Sequence, residues 1–511
     1  MKASLAIIVR GESRAVSGDD SILRPYLSRP VTSRPVILMN QIRRFASFTA
    51  LAALAMFSCV LVPNGSAFAQ DDGGGDQETI LIGNPIAGID VDAAGVLKVK
   101  QFDPRLAKER FNAARAVERR GDADVMRASG MRKISLNRLE KAIAKQLETG
   151  NMPTEEMQAL AGLTSVQYVF FYPESGDIVI AGPSEGFFAD PTDRLIGMKS
   201  GRPVVLLEDL VTAMRAYAPG ANATSVISVS IDPTAEGLQQ MQNFLASVRG
   251  NVRPSDAERL AAGLKDNLGL QKVTFRGVPD TTHFARVLVE ADYRMKLIGI
   301  GLERLPIKMA SYVDRANPNM VNSNAMERWY FQPNYDGVAV SEDGLAMKIK
   351  ERGVQLVGAN ERVAAGGQRI KGGRVNKASQ AFCQDFTDNF NLIASRVRIY
   401  GELRQLIDVA IAAAYIQQQD FYTQANWDAG VLMDESQLSV ERYTAPEQVE
   451  TAVNAVWRGS KLMTPLGGGV QMQPKLALNK DRLTIDTKGE TVATKTANGP
   501  SDLADGQWWW D

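Results

Sequence analysis

Histidine occurs once in this 511-residue chain, at position 283, and cysteine twice, at positions 59 and 383. With a single imidazole, metal sites that need two histidines are excluded, and any Ser-His-Asp or Cys-His mechanism has to run through His283. No Ser-x-x-Lys and no Gly-x-x-x-x-Gly-Lys occurs, so the penicillin-binding and P-loop classes drop out as well. Charge of one sign is also lacking, since 58 basic groups face 58 acidic ones. A nucleic-acid protein needs a concentrated basic face to displace counterions, and an anionic membrane surface needs a polybasic patch; neither is present.

The first strong positive signal is an internal start. Met39 opens Asn40-Gln41-Ile42-Arg43-Arg44, the apolar run Phe45 to Val62 follows, and Ser66-Ala67-Phe68-Ala69 precedes Gln70-Asp71-Asp72. A basic end, an apolar middle and small residues at Ala67 and Ala69 are the parts of a secretory signal peptide at 39–69, cleaved after Ala69. Residues 1–38 then read as a mis-called extension and 70–77 as a flexible acidic, Gly-rich spacer. An uncleaved anchor is the alternative, because the run is long for a signal core and short for a span. Removing residues 1–69 takes away eight basic and three acidic groups, which leaves the mature chain at about −5 with Cys383 as its only cysteine. An exported protein with no intrachain disulfide has to rest on a real hydrophobic core.

Strands alternating with helices predict an α/β fold, a mixed sheet flanked by helices, with a C-terminal helical subdomain. Residues 78–160 carry a hairpin and helices. Gly88 to Val99 and Gly337 to Lys348 align as two such hairpins, and convergent turn chemistry explains the match better than duplication. An α/β domain fills 161–357. Its elements are strands at 165–172 and 177–180, a strand at 203–207 leading into a helix at 208–217, and a strand at 226–230 whose Asp232 is placed to cap the next helix. Helices follow at 254–268 and 281–300, with a strand at 273–275 between them. The Gly-rich stretch 358–377 reads as a mobile basic loop. Helices at 379–395 and 400–418 build a subdomain over 378–475, the second apolar nearly all round and therefore buried. From 476 to 511 the composition predicts a disordered tail ending in Trp508-Trp509-Trp510, either a docking tip or unconstrained end sequence.

On the helix that carries His283, Phe284, Val287, Leu288, Ala291, Met295 and Ile298 share one face, while Val289, Tyr293 and Leu297 share the opposite one. The charges fall on the seams as Glu290 with Arg294 and Asp292 with Lys296, both at i,i+4 spacing. This pattern reads as packing between two apolar surfaces. A site built from His283, Glu290 and Arg294 is the functional alternative. Ala181 to Gly186 follows a strand, where α/β proteins place ligand contacts, so Ser184, Glu185 and Arg202 are candidates for a polar rim; ordinary turn chemistry is the alternative. Asp90-x-Asp92-x-x-Gly95 resembles the opening of a calcium loop. Ala94 and Gln101 stand where further oxygen ligands belong, so it reads as a hairpin turn. Gly299-x-Gly301 follows a helix, not a strand, and supports no dinucleotide site. No cofactor and no metal is expected.

Several stretches together carry a resemblance: Tyr168 to Pro173, Ile180 to Gly186, Ser230 to Thr234, Val289 to Lys296 with Gly299 to Glu303, and Tyr400 to Arg404. They are similar to a family of secreted planctomycete proteins classed only as a domain of unknown function, over roughly residues 160–475. The resemblance implies export and a bacterial envelope setting, and it carries over no activity and no functional residue. The expectation is a periplasmic or secreted, non-enzymatic protein that binds an envelope protein or ligand, contacting the membrane only if the signal stays attached. The alternatives are a carboxylate-based hydrolase acting on a glycan or similar substrate, since that chemistry needs neither His nor Cys, and a membrane-tethered scaffold.

Overall fold

The computed structural model describes residues 86–101, 112 and 123–511, apart from 191, 193, 221–223, 249–252, 317–324, 334–337, 351–352, 364–368, 372–375, 455, 459–460 and 464–467. The predicted extension, signal segment and spacer lie outside the described residues. The strands predicted at 165–172 and 177–180 form, as Tyr168–Tyr172 and Asp177–Ser184 paired antiparallel. These two strands are buried on both faces, which their near-continuous apolar sequence requires.

The strands gather into two large sheets. The first runs Ile86–Val91, Val96–Gln101, Gln448–Glu450, Leu270–Arg276, Ile227–Asp232, Gly468–Met472, Ala325–Pro333, Val354–Val363 and Arg369–Lys371. It is mixed: most pairs are antiparallel, but Trp329 to Phe331 lie parallel to Gly468 to Val470. The second runs Thr484–Ile485, Val338–Val340, Ala346–Ile349, Tyr168–Tyr172, Asp177–Ser184, Ser129–Ser135 and Trp509–Trp510. Both predicted hairpins form, in different sheets. Asp92 closes the first by accepting from the amides of Ala94 and Val96, each at 3.0 Å, and Asp343 closes the second by accepting from Leu345 at 2.9 Å. The calcium-like spacing at Asp90 is thus part of a hairpin and its turn.

Helices occupy the space between the sheets. The helix His283–Gly299 packs on Ile227–Asp232 and Gly468–Met472 of the first sheet and on the helix Arg398–Gln418, which touches Tyr168–Tyr172 of the second. This explains the two apolar faces of the first helix and the all-round apolarity of the second, whose residues from Leu406 to Ile416 are all buried. At the end of the His283 helix the Trp329 ring lies so close that a Cβ on Gly299 would come within 2.3 Å of it. Only glycine fits there.

Four sequence expectations are corrected. No strand forms at 203–207, where Pro203 makes one isolated bridge to Ile196. Thr234, not Asp232, caps the helix Ala235–Val248 by accepting from Gly237 at 3.0 Å; Asp232 pairs instead with Arg328 at 2.8 Å. Part of the predicted basic loop is sheet, because Val354–Val363 pairs along the full length of Ala325–Pro333 and then with Arg369–Lys371. The tail is structured, holding the helix Glu490–Thr496 and two short strands. The predicted segments are also interleaved, since both sheets take strands from early and late parts of the chain.

The tail is held by adjacent residues of Ser129–Ser135 whose side chains leave opposite faces of the sheet. Arg132, fully buried, bonds the Asp511 carboxylate at 2.9 and 3.1 Å, the carbonyls of Val125 and Ala161 at 3.0 and 2.7 Å, and lies 4.2 Å from the Trp509 ring centroid. Lys133 points at the end of the last helix and donates to the carbonyls of Thr494, Lys495, Ala497 and Asn498. Burial pulls its ammonium down to about 8. Composition hid this clasp because its partners are 360 residues or more away.

Asp511 is paired with one buried and one exposed arginine. We expect Arg132→Ala to cost about 3–5 kcal/mol in urea unfolding, because it orphans several buried acceptors. Arg127→Ala, on the exposed side, should cost less than about 1 kcal/mol; equal losses would mean that burial is not what makes the clasp strong.

Candidate functional site

Thr282 caps the helix His283–Gly299 by accepting from Ala285 at 3.2 Å, which puts His283 at its first position. Its ring turns toward the first turn of the helix Leu207–Ala216, where the Asp209 oxygens lie 3.0 and 3.1 Å from Nδ1. The ring's exposed part, 18% of the side chain, faces a cavity of about 320 Å³. Two further elements complete the wall. Glu402 projects from the helix Arg398–Gln418, and Tyr443 is tied to the start of the His283 helix by its amide bond to the Thr281 carbonyl at 2.9 Å. Tyr443 and Arg442 both hold Glu208, through contacts of 2.9 Å each. Leu195, Val204, Leu207 and Val440 supply apolar wall, and Met152, 64% exposed, sits at the rim.

Behind the wall runs a chain of alternating charges. Glu402 meets Arg194 Nε at 3.0 Å, Arg194 meets Glu290 at 2.6 Å, Glu290 meets Arg294 at 3.2 Å, and Arg294 meets Glu303 at 2.6 Å. Burial pushes the Glu402 carboxyl above its usual range, and Arg194 and His283 pull it back only in part. Its Oε2 is buried and has no hydrogen-bond partner among the described residues. Burial alone would lower the His283 imidazole, but the carboxylates of Asp209, Glu208 and Glu402 outweigh it and raise the ring to about 9. Asp209 itself is raised by burial and drawn back by the imidazolium. At neutral pH the pair therefore holds a proton on the ring, and Nε2 is a donor.

Three cations line this cavity, Arg194, His283 and Arg442, each already paired with a carboxylate. The wall thus has no unneutralised positive charge to attract an anion. What it offers a ligand is one donor, Nε2 of His283, over an apolar floor, with Glu402 in the same wall. Among the described residues no group of three or more His, Cys, Asp or Glu could hold a metal ion.

Of the six candidates read from the sequence, the structure brings only His283 to this cavity. Glu290 and Arg294 form their i,i+4 pair one step behind it, and reach it through Arg194. The other seam pair also forms: Asp292 and Lys296 meet at 2.9 Å, the carboxyl pushed up to about 6 by burial and the ammonium pulled down by it. Glu185 serves the turn chemistry given as its alternative role, accepting from the amides of Lys199 and Ser200 at 3.0 and 3.1 Å. Ser184 stands at the middle of Gly182-Pro183-Ser184-Glu185-Gly186, which has the spacing of a nucleophile elbow. It is buried in a β-strand, and the only histidine in the chain is engaged with Asp209 in the cavity wall. Arg202 lines a second cavity. Sequence reasoning missed Asp209, Glu402, Arg194 and Tyr443. A signal existed for Glu402, because Glu402, Gln405 and Asp408 interrupt an otherwise apolar helix, and a polar residue there has to be paired or functional.

Fold and site together define a mixed α/β protein with a charge-paired cavity enclosed by its helical layer. Within it, residues 229–312 match the family described as a protein of unknown function (DUF1598). The match begins in the strand before the helix Ala235–Val248 and includes the whole His283 helix with Glu290, Arg294 and Glu303. No curated protein and no solved structure matches the chain.

Because His283 is the only histidine, its C2 proton is unambiguous in an NMR titration. We expect a midpoint near 9 where an unperturbed ring gives 6.5, and a fall toward the latter in Asp209→Asn. The folded value lies above the unfolded one, so the pair adds stability below about pH 6.5 and loses it as pH rises through about 9. Thermal midpoints measured across that window should fall more in the native chain than in His283→Gln.

Proposed function

We propose that the protein is exported, with the signal segment cut after Ala69, and works as a non-enzymatic binding protein of the cell envelope. Its ligand is small, polar and without net charge, of the size of a monosaccharide or an amino-acid amide, and it binds in the Asp209–His283–Glu402 cavity. The observation that carries this reading is His283, whose hydrogen bonds among the described residues all run through Nδ1 to Asp209, which leaves Nε2 for a ligand beside the lining residue Glu402. A hydroxyl-bearing or amide ligand can accept from the ring, and cations already paired with carboxylates give an anion no advantage. The volume of about 320 Å³ lies at the small end of ligand pockets.

A thermal-shift screen of neutral sugars, amides and amino acids on residues 70–511, followed by calorimetry, tests it. A true ligand should lose at least tenfold in affinity, about 1.4 kcal/mol, in Glu402→Gln and in His283→Gln. A ligand that binds equally well to both variants would place recognition elsewhere.

A second reading is favoured by the raised Glu402 carboxyl sharing a cavity with Glu208 and Asp209: a carboxylate hydrolase with Glu402 as proton donor. Turnover of aryl glycosides by the native chain, abolished in Glu402→Gln, would replace binding with catalysis. Tethering depends on whether residues 45–62 stay attached. Among the described residues no helix is long and apolar enough to cross a membrane, and 45–62 lie outside them. N-terminal sequencing decides, with Gln70 meaning release and Met39 an anchor.

A further inference from the structure

A second cavity, of about 120 Å³, adjoins the first and shares one residue with it, Gln405. The Gln405 side chain donates to the carbonyls of Thr164 and Pro203 at 2.8 and 2.7 Å, so it is fixed as part of both walls. The chemistry of the two cavities is opposite. Four carboxylates line the first. The second has none among its described lining residues, and carries two arginines, Arg202 and Arg404, with Ser165, Gln167 and Asn391.

Neither guanidinium is saturated. The backbone amide of Arg202 bonds Ser200 Oγ at 3.1 Å, while its side chain has no hydrogen bond or ion pair among the described residues. Arg404 Nε lies 3.9 Å from Asp408 and makes no hydrogen bond there, and Nη1 reaches Asn391 Oδ1 only at 3.4 Å. Two guanidinium forks therefore face a small space with most of their ten N–H donors uncommitted. The hydroxyl of Ser165 and the amide of Gln167 stand in the same wall as further donors.

We infer that this cavity binds a single tetrahedral oxyanion, phosphate or sulfate, either as the free ion or as the head of a monoester. A carboxylate would use one fork. A tetrahedral anion presents enough oxygens for both, each met by paired N–H donors, and arginine is suited to that recognition. The volume admits one such group and excludes a nucleotide. The inference is independent of what occupies the first cavity.

Calorimetry on residues 70–511 with sodium phosphate, sodium sulfate, methyl phosphate and sodium acetate tests it. We expect saturable binding of phosphate and sulfate, at least tenfold tighter than acetate and weakened by added chloride. Arg202→Ala and Arg404→Ala should each reduce it tenfold or more, and Arg202→Lys should reduce it in part, because the charge stays and the fork is lost. Arg202 is exposed, so its variants report on binding without a folding defect. Arg259→Ala, which removes an exposed charge from another helix, should leave affinity unchanged. Methyl phosphate binding as tightly as phosphate identifies a monoester as the natural ligand; its exclusion identifies the free ion. Absence of saturable phosphate and sulfate binding, preference for acetate, or affinity that survives both arginine-to-alanine variants would overturn the inference.

Discussion

Five charges in a row, Glu402, Arg194, Glu290, Arg294 and Glu303, three of them buried and two half-buried, hold the centre of this protein in register. Each cation lies between two anions, so none can be removed without leaving a neighbour buried and unpaired, a loss larger than the net gain of any single pair. The row joins the loop that carries Arg194, the His283 helix and the Arg398 helix. Those three place His283 and Glu402 around one cavity. An apolar contact alone would let two helices slide by a fraction of a turn at modest cost. An alternating row of charges allows only the spacing at which every carboxylate meets its guanidinium.

That constraint also gives the cavity its character. The row ends at Glu402, whose outer oxygen has no protein partner, and the Asp209–His283 pair stands opposite as a second end. A wall whose cations are all paired yet which has an uncommitted donor recognises by hydrogen bonding and shape, not by positive charge. The neighbouring cavity has no carboxylate among its described lining residues and two arginines whose N–H donors are mostly uncommitted. Gln405 separates the two regimes by anchoring the backbone of both loops at 2.7–2.8 Å.

Much of the layout was legible where local pattern decides structure. The hairpin over 168–184, both glycine-turn hairpins and the two long helices follow from apolar strand runs, turn residues and apolar periodicity. The seam pairs on the His283 helix were visible because i,i+4 contacts are local. Long-range pairing was not. Gly468–Met472 inserts between Ile227–Asp232 and Ala325–Pro333, and no local feature of a glycine-rich stretch marks it as a central strand. The site was half legible for the same reason: a lone imidazole draws the eye to His283, while Asp209 and Glu402 meet it only through tertiary packing. Polar composition misled at the tail, whose order comes from Arg132 and Lys133 far upstream.

The pairing of Trp509–Trp510 with Ser129–Ser135 sets a timetable for folding. A chain delivered with its N-terminal part first presents residues 129–135 long before residues 509–510 exist to cover them. Until then Arg132 and Lys133 lack their tail partners and one edge of the second sheet is an open template for other strands. Contacts of such sequence separation form late and slowly. Docking of the tail covers that edge only once the whole chain is available, and a chain stopped short of it leaves an adhesive edge exposed.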